Sequence, residues 1–123
     1  MKILQRDLIR INSNRVYQNY CEEIKIENNP YIYRIEDIDF KFNFYYEYEK
    51  LKCAYEIYAD MICPDAWTLE EVRVPLNLYE EEDVTFDMDK EGIYIEDGIE
   101  ASELAKMLIL LEVPLSVKKE NYN

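Results

Sequence analysis

Phe40-Lys41-Phe42-Asn43-Phe44 opens the strongest structural pattern in this chain, in which aromatic and mainly polar residues alternate as far as Tyr48. A second alternating segment, Leu51 to Cys63, follows directly. Successive side chains of a β-strand point to opposite faces, so each segment predicts a strand with one apolar face. Glu49-Lys50 is the expected tight turn between them, although neither residue favours the positive φ of common hairpin turns. We expect the five aromatic residues at period two to pack in the core, in preference to forming a base-stacking surface.

The rest of the chain predicts a sheet flanked by two helices. The predicted elements are a helix over Ile3–Ile11, strands over Val16–Ile26 and Val72–Leu78, a connector over Glu80–Asp97 with a short strand at Ile93–Ile95, and a helix over Ala101–Val113. Pro75 cannot donate a hydrogen bond to a neighbouring strand, which predicts an edge strand or a bulge there. We therefore predict one α+β domain over residues 1–123. It consists of a strongly bent antiparallel sheet, open or partly closed into a barrel, with a short N-terminal helix and a buried C-terminal helix.

Composition narrows the classes of function. The 123 residues carry a net charge of −13, and the segment from Glu80 to Glu103 holds eleven acids and one base. A field this negative opposes nonspecific binding to nucleic acid or to an anionic membrane, and favours a basic partner. No apolar run reaches the ~20 residues that a bilayer requires. The expectation is a cytoplasmic, unprocessed protein without membrane contact.

Several classes of catalytic and metal site lack their usual residues. The chain has no histidine, two glycines and three cysteines, Cys21, Cys53 and Cys63, without metal-ligand spacing. The segment Asp87–Gly92 imitates the start of a calcium loop, but position 12 of that loop is Gly98 where a bidentate Glu is required. We therefore predict no enzyme activity, no cofactor, no metal site and no small-molecule substrate.

Two charged segments and one aromatic residue are candidate contact sites. The run Glu80, Glu81, Glu82 and Asp83 could dock a basic protein, with a solvated acidic run as the simpler interpretation. On the predicted N-terminal helix, Lys2, Arg6 and Arg10 share one face and could contact RNA phosphates, or simply be solvated. Trp67, the only tryptophan, is either a core anchor or an exposed contact residue.

From Leu51 onward, an alternating strand runs into the turn at Cys63, and a strand around Val74-Pro75-Leu76 and the acidic connector follow. A closing helix then starts near Ile99-Glu100 and stops at Val113-Pro114. This order of elements resembles the YceD-type large ribosomal RNA subunit accumulation family. The N-terminal Asp7-Leu8-Ile9-Arg10 fits more loosely. This chain has Ala66 where the family often has a second cysteine, and Asp65 where an arginine usually precedes it. A metal or redox role for a paired-cysteine turn is therefore unsupported.

The resemblance implies a role in accumulation or processing of large-subunit ribosomal RNA, with that RNA or a pre-ribosomal particle as the partner. Our leading hypothesis is a non-catalytic factor in large ribosomal subunit biogenesis. The alternatives are an acidic nucleic-acid mimic that inhibits another protein, and a hydrolase that uses carboxylates to hold a metal.

Overall fold

Four long antiparallel strands form the main sheet in a computed structural model that describes residues 1–122. They are β2 (Asn14–Lys25), β3 (Arg34–Glu47), β4 (Lys50–Pro64) and β5 (Glu71–Thr85), in that order across the sheet. The short β6 (Ile93–Tyr94) pairs in parallel with the end of β5. The sheet curls strongly into a half-barrel, which confirms the predicted α+β class with a bent sheet.

The remaining elements lie outside the main sheet. They are β1 (Lys2–Leu4), β7 (Gly98–Glu100), the helices α1 (Gln5–Ile9) and α2 (Ala101–Leu110), and a 3₁₀ turn at Lys119–Asn121. β1 and β7 pair in antiparallel orientation. The predicted helix over Ile3–Ile11 is thus wrong at its start, because residues 2–4 instead satisfy their backbone groups by pairing with β7. Among residues 1–122, none of the helices combines the length and the apolar character that crossing a membrane demands.

The core lies between the inner face of the sheet and α2. Phe40, Phe42 and Phe44 of β3 are buried, as the alternation predicts, and the inward-facing residues of β4 lie beside them. The helix contributes a buried stripe of Ala101, Leu104, Ala105, Leu108 and Ile109. Met107 and Leu111 are 52% and 80% exposed, so one face of the predicted buried helix is in contact with solvent.

The predicted hairpin exists, with its turn one residue earlier than expected. Glu47 pairs with Lys50, and the turn residues Tyr48 and Glu49 have φ values of 51° and 65°. Both are left-handed, which matches the twist of a two-residue hairpin turn but is costly for residues other than glycine, asparagine or aspartate. Tyr48 is therefore not part of the buried aromatic face, and Tyr46 beside it is 41% exposed.

Strand β5 is longer than predicted. The sequence pattern predicts an end at Leu78, but the strand continues through the four acids to Thr85 and pairs with β4 without a break from Glu71↔Pro64 to Asp83↔Lys52. The acidic connector is therefore strand at this point. Fifteen residues of β4 offer a continuous row of partners, and the backbone hydrogen bonds they supply outweigh the low strand propensity of Glu and Asp. Pro75 lies on this edge strand, as predicted.

Candidate partner-binding surface

The four acids occupy both faces of one edge strand. Glu80 and Glu82 pair with Tyr55 and Cys53, whose side chains belong to the inner face. Glu81 and Asp83 therefore point to the outer face. All four side chains are exposed. We call this set, Glu80 to Asp83, the acidic edge.

The two inner-face carboxylates have no ion-pair partner within residues 1–122. They lie at the rim of the core, beside buried groups. Burial raises the pKa of Tyr55 above its ordinary range, and the charges of Glu82, Glu80 and Glu112 add to that effect. Burial likewise raises the pKa of the Cys53 thiol to about 12, with a smaller contribution from Glu82. Negative potential thus collects on the inner side of the acidic edge, and Cys53 stays a neutral thiol at physiological pH.

The two outer-face carboxylates share a single lysine. The Lys52 Nζ atom lies 3.6 Å from a carboxylate oxygen of Glu81 and 3.4 Å from one of Asp83. The pKa of Lys52 is raised, chiefly by its hydrogen bond with Asp83. A hydrogen bond with Glu81 raises the pKa of the Tyr45 hydroxyl to about 12. One cation between two acids leaves the outer side of the acidic edge with a net negative charge.

A shallow depression of about 380 Å³ adjoins the acidic edge. Ala54 has the smallest side chain of its cross-strand row, between Asn43 and Glu81, and the longer neighbours form the walls. The lining includes Lys41, Glu56 and Tyr79 in the next row. This depression gives the outer face a polar recess with an aromatic wall.

Trp67 is exposed, and it is far from the acidic edge. Its side chain is 82% exposed, so the core-anchor interpretation is wrong. It lies in the turn between β4 and β5, whereas the acids lie toward the other end of β5. Glu80 is nine positions after Glu71 in the chain, which corresponds to about 30 Å along a strand. The two parts of the predicted partner-binding site are therefore not one contiguous contact.

The turn that carries Trp67 depends on a residue that the sequence reasoning missed. The Asp65 carboxylate accepts hydrogen bonds from the backbone N–H groups of Trp67 at 2.9 Å, Thr68 at 3.0 Å and Lys119 at 2.8 Å. These bonds lower the pKa of Asp65 to about 2, and the bond from Lys119 has the largest effect. An aspartate followed by N–H donors two and three residues later is a common turn motif, so this part of its role was readable from the sequence.

The same end of the sheet carries a network of ion pairs across four strands, since Arg34 also lies 3.4 Å from Glu23 of β2. Arg34 binds both carboxylate oxygens of Glu71 at 2.6 and 2.8 Å and contacts Glu36 at 2.6 Å. Arg73 contacts Glu36 at 2.7 Å and Asp60 at 2.9 Å. The arginines lower the pKa values of Glu36 and Glu71. With Glu23 included, two arginines face four carboxylates, and each of these acids has an ion-pair partner within the described residues, unlike Glu80 and Glu82 toward the other end of β5.

The predicted RNA-contact residues are exposed but do not share a helical face. Lys2 is in β1, Arg6 is in α1, and Arg10 is the residue that ends α1. The helix is too short to align them, since residues 2–4 are extended. Arg6 and Asp97 line the same shallow depression.

The segment that imitates a calcium loop forms a turn between β5 and β6. Asp87 accepts hydrogen bonds from the backbone N–H of Asp89, through its side chain, and of Lys90, through its carbonyl oxygen. Within residues 1–122, no group of three or more cysteine, aspartate or glutamate side chains is close enough together to hold a metal ion.

Comparison with known proteins identifies no relative of this chain. No model of a known protein family matches the chain, and neither the curated proteins nor the solved structures contain a match.

Proposed function

We propose that this protein is a non-catalytic, cytoplasmic factor in large ribosomal subunit biogenesis. It would support accumulation or processing of large-subunit ribosomal RNA by binding a basic ribosomal protein or a pre-ribosomal particle. The proposal starts from the sequence resemblance to the YceD-type family. It gains support from the location of the acidic edge.

The observation that carries the proposal is the exposure of four adjacent carboxylates on an edge strand, with Lys52 of the neighbouring strand as their only ion-pair partner within residues 1–122. Ribosomal proteins are basic, and a strand that presents acids on both faces complements an extended basic segment. Long-range attraction between opposite charges also accelerates encounter, which suits a factor that meets its partner transiently.

Trp67 and the basic N-terminal residues would add separate contacts. An exposed tryptophan supplies a large apolar area and is a frequent anchor at protein interfaces. Lys2, Arg6 and Arg10 would contact phosphates of the RNA in the same particle. Because these groups lie on different elements, the partner would be large enough to touch several parts of the molecule.

Depletion in cells tests the biological role. We expect the ratio of large-subunit to small-subunit ribosomal RNA to fall, with large-subunit precursors accumulating in gradient profiles. An unchanged ratio together with a normal profile would refute the proposed function.

Complementation with a charge-neutralised variant tests the surface. The variant Glu80→Gln, Glu81→Gln, Glu82→Gln and Asp83→Asn should fail to restore the ratio and should lose association with the particle. A matched control neutralises four exposed acids without ion-pair partners within residues 1–122, Glu22, Glu27, Glu47 and Glu120. This control variant changes the net charge by the same amount and should restore the RNA ratio in the depleted cells. Equal behaviour of the two variants would mean that the acidic edge is not the docking surface.

A further inference from the structure

Alternate residues of β5 direct their backbone N–H and C=O groups within the plane of the sheet and away from β4. We call this direction the outward side, which is distinct from the outer face to which side chains point. The carbonyl oxygen of Thr85 accepts a 3.0 Å hydrogen bond from the N–H of Ile95, so Thr85 directs its backbone groups away from β4. In a regular strand, residues two apart direct their backbone groups to the same side. Because the β4–β5 register is unbroken, the same side is presented by Asp83, Glu81, Tyr79, Asn77 and Pro75.

Two further observations agree with this assignment. A Cβ atom added to Gly92, which begins the approach to β6, would lie 2.5 Å from the carbonyl oxygen of Asp83, so that oxygen faces outward. Pro75 has no N–H, and an outward position is where a strand tolerates that loss. At one end of β5, the outward backbone groups are therefore paired with β6. At the other end, Pro75 has no N–H to donate to an added strand.

Between these limits, the backbone groups of Asn77, Tyr79 and Glu81 are unpaired. Within residues 1–122, no backbone or side-chain hydrogen bond reaches them from outside the β4–β5 ladder. A row of unpaired N–H and C=O groups on an edge is a template for another strand.

We propose that this edge pairs with an extended basic segment of a protein partner, which becomes an added strand beside β5. Side chains of such a strand would alternate between the faces, and both faces carry acids: Glu80 and Glu82 inside, Glu81 and Asp83 outside. The segment should therefore have consecutive Lys or Arg residues near the acidic edge. Beside the half-buried Leu76 and the exposed Tyr79 it should carry apolar residues.

The charge also argues against other occupants. Pairing with β5 of a second copy would bring two acidic edges together, which costs free energy. RNA would meet the same repulsion. This inference rests on the proposed function, since it names the mode in which the acidic edge would bind its partner.

Binding of designed peptides to the purified protein tests the pairing. The probe is Lys-Arg-Val-Lys-Val-Arg-Lys, which reads alike in both directions and so suits either strand orientation. Two derivatives carry N-methyl groups, one on the even-numbered and one on the odd-numbered residues. Only one set of peptide N–H groups faces β5, so one derivative should bind like the parent and the other about tenfold or more weakly. Equal binding by both derivatives, or loss of binding by both, would overturn the strand-pairing proposal.

Amide hydrogen exchange and one variant locate the contact. The parent peptide should protect the N–H groups of Asn77, Tyr79 and Glu81 from exchange and leave β2, the other edge, unchanged. Tyr79→Pro removes the central outward N–H without changing charge, and should weaken binding about three- to tenfold. Tyr79→Phe keeps that N–H and should bind like the wild type. Absence of protection at these three residues would contradict the proposal, even if Tyr79→Pro does not fold.

The two proposals fail in different experiments. If both N-methylated peptides bind alike while depletion lowers large-subunit RNA, only the strand-pairing mode is lost. If the RNA ratio is unchanged, the proposed function is lost whether or not the peptide binds.

Discussion

Asp65 accepts a 2.8 Å hydrogen bond from the backbone N–H of Lys119, a residue 54 positions further along the chain. A second bond joins the same two segments, from the N–H of Ala66 to the carbonyl oxygen of Val117 at 2.7 Å. Val117 is buried, although most residues around it are exposed. The turn after β4 thus holds the C-terminal segment against the sheet, and one carboxylate organises both.

Replacement of Asp65 by Asn should destabilise the protein and should alter its response to acid. Asn is a weaker acceptor for the three backbone N–H groups, so we expect Tm to fall by about 5 °C at pH 7. The folded-state pKa of about 2 is lower than that of an unfolded aspartate. The charged carboxylate therefore stabilises the fold above pH ~4, and this stabilisation is lost as pH falls through the folded pKa.

Thermal unfolding of wild type and Asp65→Asn between pH 2 and pH 7 measures this effect. The difference in Tm should be constant above pH ~5 and should shrink toward pH 2. Asp89→Asn, at an exposed turn residue, is the control. A difference that does not change with pH would show that charge on Asp65 contributes nothing.

Trp67 should contribute little to stability. Because its side chain is 82% exposed, Trp67→Ala should change the free energy of unfolding by no more than about 0.5 kcal/mol. Phe42→Ala, at a fully buried position, should cost about 3–5 kcal/mol. Chemical denaturation compares the two. A large loss for Trp67→Ala would mean that this ring packs against the protein in solution.

The β3–β4 turn should accept a stabilising substitution. Tyr48 and Glu49 both have positive φ, and Asn-Gly is the preferred pair for such a turn. Tyr48→Asn with Glu49→Gly should therefore increase the free energy of unfolding by about 1 kcal/mol. Glu49→Gln removes the same charge without backbone freedom and should give no gain. Equal stability of the double variant and the wild type would contradict the left-handed turn.

Gly92 should be intolerant of a side chain. Its φ is 122°, and an added Cβ would lie 2.5 Å from the Asp83 carbonyl oxygen. Gly92→Ala should cost about 2 kcal/mol and should shift the NMR signals of Val84 and Thr85, which pair with β6. Glu91→Ala is the neighbouring control. Wild-type stability of Gly92→Ala would mean that β6 does not approach β5 this closely.

The periodic segments were predictable because their signal is local. Phe40, Phe42 and Phe44 alternate with polar residues, and this alone defines a strand and its buried face. Pro75 likewise specifies an edge through its missing N–H. Errors occurred where local preference is weak: the start of the N-terminal helix, the position of the hairpin turn, and the end of β5.

The candidate surface was predictable in composition but not in form. The sequence by itself determined which residues carry charge, that the acids are adjacent, and that the strands before them have one apolar face. Only the tertiary structure made Glu80 to Asp83 part of an edge strand, exposed Trp67, and joined Asp65 to Lys119. The physical reason is that backbone groups must find hydrogen-bond partners, and for β5 and the C-terminal segment those partners lie on residues remote in the sequence.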